Sequence, residues 1–124
     1  MSYITYNKNT KTYTVQYFGT NNYYPVYEFI LSIKDRKLQS KTMQTITLLE
    51  NNGYNLRMPH SKYLQDGIYE LRTKQGSNIT RILYFFDENR IILTNGFIKK
   101  EQKTPKQEIN IAIKNRKIYF ERSK

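Results

Sequence analysis

Three runs rich in β-branched and aromatic residues follow one another in the second half of the chain, Ile68–Thr73, Thr80–Phe86 and Arg90–Asn95, joined by the short polar links KQGSN and DEN. A parallel crossover needs a dozen or more residues, so links this short make the three strands antiparallel neighbours in a meander. Everything else must then cover that meander. At 124 residues there is room for one domain with a single core, spanning residues 1–124. Hydrophobic residues make up only 38% of the chain, but twelve tyrosines and six phenylalanines supply bulk, so the core should be small and aromatic.

The first half supplies the cover. Thr12–Phe18 reads as a strand that stops at Gly19, with Asn21 and Asn22 as turn formers. Pro25 suits a first helical turn, and Val26, Phe29, Ile30 and Ile33 fall at i, i+3, i+4 and i+7 on one stripe. A second helix is expected from Arg36 to Asn51, with Leu38, Thr42, Thr45, Ile46 and Leu49 on one side and Gly53 ending it. The stretch NLRMPHSKYLQDG, with Pro59 and Gly67, reads as a long loop. In the last segment Ile109, Ala112 and Ile113 fit a helix, while INIAI also alternates with period two. Thr104 and Pro105, as N-cap and first helical residue, favour the helix.

Strand parity sorts the meander into two faces. Tyr69, Leu71, Ile82, Tyr84 and Phe86 form an apolar set expected to face the helices. Ile68, Glu70, Arg72, Arg81, Leu83 and Phe85 form a mixed set, expected on an open face. Arg72 opposite Arg81 puts like charges side by side, which is unfavourable unless an anion or Glu70 lies between them.

Charge points to a polyanionic partner. Lys and Arg number 21 against 10 Asp and Glu, a net +11. From Phe97 to Lys124 there are nine basic and three acidic residues, so this last quarter holds more than half of the net charge. The apolar run from Ile91 ends at Gly96 and releases Lys99, Lys100 and Lys103 just past the sheet, beside the two arginines. Together they make a candidate phosphate-binding concavity. There is no cysteine and one histidine, His60, with no metal-ligand spacing and no Gly-rich phosphate loop, so neither a cofactor nor a bound metal is expected. The N-terminus has no apolar signal region and no run approaches a membrane span. The expectation is a soluble, cytoplasmic chain with no membrane partner.

The order strand, two helices, then IYELR, RILYFF, IILTNGFIKKEQKTP and EINIA resembles the RelE/HigB-like toxins of type II toxin–antitoxin systems. It is most similar to a phage-associated branch marked by an ELR strand, an R-x-x-Y strand and a GF-x-KK-x-x-K-TP segment. The motifs cover Pro59 to Ala112. The resemblance implies an α+β fold: a small antiparallel sheet, an N-terminal helical hairpin on one face and a C-terminal helix. It also implies metal-independent cleavage of mRNA on the translating ribosome, and a helix-turn-helix, HigA-like antitoxin that assembles with the toxin, a heterotetramer being one arrangement. By motif, Arg72, Arg81, Lys99 and Lys100 resemble the catalytic basic set, with Lys103 in the same basic group; Lys103 and the basic residues of the last helix, Lys106, Arg116 and Lys117, are then the candidates that hold RNA. Tyr84 matches the motif tyrosine although its parity turns it towards the core; His60 and Tyr119 are the other candidates for proton transfer. The chain departs from better-known members in carrying Glu70 where some have a basic residue. A non-catalytic toxin acting on DNA gyrase, and an RNA-binding protein without cleavage, are the alternative readings.

Overall fold

The meander forms as its short links require. In the computed structural model, which describes residues 12–99 and 103–122, β3 (Ile68–Gln75), β4 (Asn78–Asp87) and β5 (Arg90–Ile98) are antiparallel neighbours. Arg72 stands opposite Arg81 and Leu71 opposite Ile82, the register in which the apolar parity set shares one face. Two more strands extend the sheet to the order β1-β5-β4-β3-β2, with β1 spanning Thr14–Tyr17 and β2 spanning Ser61–Gln65.

Strand β1 falls within the expected Thr12–Phe18 run, but its direction and the presence of β2 correct the sequence reading. The sheet is mixed rather than antiparallel, because β1 lies parallel to β5, Thr14 beside Arg90 and Tyr17 beside Leu93. No short turn ties β1 to its neighbour, so its direction is set by packing. The expected loop after the helices contains β2, which turns into β3 through Asp66 and Gly67, both at positive φ (51° and 78°). Two residues with φ > 0 are what a tight hairpin between right-twisted strands demands.

The helices fall where their stripes indicate. Helix α1 (Pro25–Ser32) has Pro25 in its first turn and buries Val26 and Ile30. Helix α2 (Arg36–Asn52) starts at Asp35, whose Oδ1 accepts from the Lys37 and Leu38 amides at 2.9 and 3.2 Å. It buries Leu38, Thr42, Thr45, Ile46 and Leu49, the five positions its periodicity selects. Gly53 ends it at φ 54°, a conformation costly for a side chain. The two helices spread over the sheet, α1 against β5 and α2 against β3. Phe29 of α1 packs onto Gly96, where a Cβ would come within 2.6 Å of its ring.

Helix α3 (Lys106–Arg122) resolves the ambiguous last segment as helix. It covers the opposite face, burying Ile109, Ala112 and Tyr119 with Ile68, Leu83, Phe85 and Ile92. The face expected to be open is therefore a second core, and helices lie on both sides of the sheet. Each Leu or Ile fully buried this way contributes about 1.5–3 kcal/mol, so an apolar helix face beside an apolar sheet face does not stay apart from it. Among the described residues no helix is long and apolar enough to cross a membrane.

Candidate functional site

Parity puts Glu70 and Arg72 of β3 and Arg81 of β4 on the α3 face, and there one carboxylate serves two guanidinium groups. Arg81 Nη1 reaches both Glu70 oxygens, at 3.2 and 3.3 Å, and Arg72 Nε lies 3.7 Å from Oε1. Thr104 completes the cluster by donating its hydroxyl to Glu70 Oε2. The like-charge register is thus relieved by Glu70. The arginines differ in access: Arg81 is 0% exposed, whereas the Arg72 side chain is 13% exposed. Arg81 as a direct phosphate contact is accordingly corrected. Its guanidinium is buried against Glu70.

Thr104 was expected to cap α3, but its hydroxyl is committed to Glu70. The first backbone bonds of the helix run from the Glu108 and Ile109 amides to the Pro105 carbonyl, at 3.0 and 3.4 Å. The helix is docked by a bulge in β5. Leu83 pairs with Asn95 but Tyr84 pairs with Leu93, so Thr94 is an extra residue and the parity of β5 inverts beyond it. Asn95 then points at α3 and donates to the Glu108 carbonyl and side chain at 3.2 and 3.0 Å, while Asn115 donates back to the Thr94 carbonyl at 3.1 Å. The inverted parity also places Phe97 opposite Arg81 and Lys99 one step further along that face, with the Lys99 amide on the Ile79 carbonyl.

Of the other nominated cations, Lys103 and Lys106 are exposed at the start of α3, near the Glu70 cluster. Lys117 is exposed and Arg116 half-buried, ten residues along the helix, about 15 Å away at 1.5 Å per residue. The four therefore form two groups. Lys100 lies outside the described residues.

The structure removes two of the three proton-transfer candidates from the arginines. Tyr84 is in the core under α1 and α2, stacked on Tyr69 with ring centroids 5.4 Å apart and hydrogen-bonded to the Ser61 hydroxyl. Burial pushes its phenol up to about 12. Tyr119 is buried at the far end of α3 and donates to Asp87 Oδ2 at 2.8 Å. Burial, then the Asp87 carboxylate, raises its pKa. Both phenols are thus committed to partners away from the arginines.

His60 is different. Between α2 and the β3 edge, just past the point where β2 begins, lies a cavity of about 650 Å³ whose walls include His60, Arg72, Lys41, Lys74, Gln44 and Thr73. No carboxylate is among its described lining residues. Arg72 thus links two environments, with Glu70 on one side and this cleft on the other. Sequence reasoning missed Lys41 and Lys74. Lys74 was findable, two residues beyond Arg72 in the same strand, but Lys41 enters only through the packing of α2. Among the described residues no cluster of His, Cys, Asp or Glu could hold a metal ion.

A chemical role follows from these groups. Three cations lining one cleft attract a phosphate, and the planar guanidinium of Arg72 suits its oxygens. An imidazole beside them supplies a ring nitrogen that can serve in proton transfer.

A family model described as phage derived protein Gp49-like (DUF891) matches residues 30–117, which is 88 of the 124 positions. The match runs from the end of α1 through most of α3, so it includes every wall of the cleft. A search of curated proteins found no match.

Proposed function

The chain belongs to the phage-derived Gp49-like family, a family associated with toxin–antitoxin toxins, and from that premise we propose that it is a toxin that cleaves mRNA on the translating ribosome. The observation that carries this reading is the cleft, where Arg72, Lys41 and Lys74 meet His60 with no described carboxylate in the lining.

In this reading the scissile phosphate sits against Arg72. The neighbouring 2′-hydroxyl attacks phosphorus, its proton passes to His60, and the bond to the 5′-oxygen breaks. The leaving oxygen takes a proton from water or from the imidazolium, giving a 2′,3′-cyclic phosphate and a 5′-hydroxyl. The nucleophile is already tethered to its target, so orientation supplies much of the rate. Arg72 and the lysines stabilise the charge that develops on the phosphorane oxygens. Arg81 and Glu70 act at one remove by holding Arg72 in place. Lys99 lies towards the same end of the sheet and, with Lys100, Lys103, Lys106, Arg116 and Lys117, supplies cations for RNA phosphates. A helix-turn-helix antitoxin, HigA-like and acidic enough to cover such a surface, is the proposed partner, in a heterotetramer or a simpler complex.

Primer extension on cellular mRNA after induction tests the reading. Wild type is expected to arrest growth and leave discrete cuts in translated messages. Arg72→Ala and His60→Ala are each expected to lower cleavage about 10²-fold or more, the usual effect of removing a charge stabiliser or a proton-transfer group. Cleavage undiminished in both variants would remove the cleft from the mechanism. Growth arrest with intact mRNA and altered DNA supercoiling would instead favour a gyrase poison, and RNA bound but uncut a non-catalytic binder.

A further inference from the structure

At the other end of the sheet lies a second hollow of about 380 Å³, lined by Tyr54, Tyr69 and Phe86 and by Arg116 and Phe120 of α3, with Gly67 at its rim. Its rings are held in place by one another. Tyr54 stacks on Phe86 with centroids 3.7 Å apart and planes 19° from parallel, and Tyr13 meets both edge-on at about 6 Å. One face of Tyr54 is thereby fixed against protein while the residue remains 47% exposed. Phe120 is 39% exposed and rests on Phe85. Arg116 is anchored by donating to the Asp66 carbonyl, which keeps a cation at the rim.

Exposed aromatic rings locked by neighbours, beside an arginine, are costly to leave in water and well made for another flat ring. A nucleobase offers such a ring whatever its identity, and its phosphate answers the cation. The surface between the two hollows is of the same kind: Lys62 is exposed and Tyr63 is 54% exposed on β2, its ring edge-on to Tyr69. Along β4 the hollows are separated by the seven steps from Ile79 to Phe86, about 23 Å at strand rise.

We infer that the Tyr54–Phe120–Arg116 hollow stacks a base of single-stranded RNA whose backbone follows the β2 edge from the cationic cleft. The inference rests on RNA being the substrate and adds where its flanking nucleotides lie. Cleavage in the cleft does not require it, so the two readings fail separately.

The test is fluorescence anisotropy of the full chain with labelled 2′-O-methyl oligouridylate and oligoadenylate, which lack the attacking hydroxyl and report binding alone. Inorganic polyphosphate serves as a baseless competitor. Tyr54→Ala is expected to weaken both oligonucleotides by about 5- to 150-fold, the range for losing one stacked base, while its affinity for polyphosphate stays at the wild-type value. Tyr54→Phe keeps the ring and is expected to bind as wild type. Phe120→Ala gives an independent reading from the opposite wall. Wild-type affinity in both alanine variants, or an equal fall for RNA and polyphosphate, overturns the inference. The first of those results is also what a protein-docking surface at the hollow would give.

Discussion

Glu70 lies between Arg72 and Arg81 with 1% of its side chain exposed, and its contribution is set by what it leaves behind if removed. Two guanidinium groups facing each other across a strand pair in a water-poor site repel. Glu70→Ala is therefore expected to cost about 3–5 kcal/mol, the usual effect of taking one partner from a buried ion pair. Urea unfolding monitored by circular dichroism measures it, and a change under 1 kcal/mol would mean that the cluster is better solvated than its burial indicates. Arg81→Ala carries the same penalty, so lost toxicity in that variant alone is no measure of catalysis. Arg72, at the cleft, gives the cleaner functional test. The pairing of these arginines, and the need for Glu70 between them, were legible from strand parity. Their burial was not, because it depends on α3 lying over that face, and no local pattern distinguishes an open mixed face from a covered one.

Helix α3 is fixed to the sheet at both ends by side-chain hydrogen bonds. At its start Asn95 and Glu108 meet through the β5 bulge; towards its end Tyr119 donates to Asp87, which also accepts from Arg90 at 2.8 Å. The hydrogen bonds from Arg90 and then Tyr119 hold the Asp87 carboxyl below its ordinary pKa. The folded state thus binds that proton less readily than the unfolded chain. The Asp87 contribution is present above the ordinary carboxylate value of about 3.9 and is lost as pH falls below it, through the lower folded-state pKa. Asp87→Asn should lower the melting temperature at pH 7, and the gap from wild type should close on acidification below about pH 4. A gap that persisted at the lowest pH would trace the effect to packing. At this scale the helices and the three long strands were legible from periodicity, down to the five buried residues of α2. The β2 hairpin reads as a loop in the sequence, because the polar run before it and Pro59 mask the strand, although Asp66 and Gly67 mark its turn. The Thr94 bulge had no local signal. It inverts the parity of β5 and thereby sends Asn95, Phe97 and Lys99 to the α3 side.

For the molecule as a whole, the excess of cations would govern encounter with RNA if the proposed substrate is right. Each phosphate neutralised on a single strand releases counterions, so affinity should fall linearly with salt on logarithmic axes, with a slope of about −0.7 per contact. Replacing Lys41 and Lys74 by Gln should flatten that slope by about 1.4, if each lysine meets one phosphate in the cleft. Anisotropy titrations between low and moderate salt measure it, and an unchanged slope would put the RNA backbone elsewhere. The positive balance was plain in the sequence, whereas the gathering of Lys41, His60, Arg72 and Lys74 into one cleft needed α2 and β3 packed together. The mixed sheet was hidden for a related reason: β1 takes its partner from the far side of the chain.

That distant partnership has a consequence for how the protein is made. Thr14 pairs with Arg90, 90 − 14 = 76 positions later, so β1 has no neighbour on the sheet until β5 has been synthesised. At 5–20 residues per second the wait is about 4–15 s. A chain released before Arg90 lacks both β5 and α3, and with them the strand that joins β1 to the meander, the Thr104 hydroxyl on Glu70 and the helix that covers the second core. A chain that stops upstream of β5 therefore cannot place β1 in the sheet.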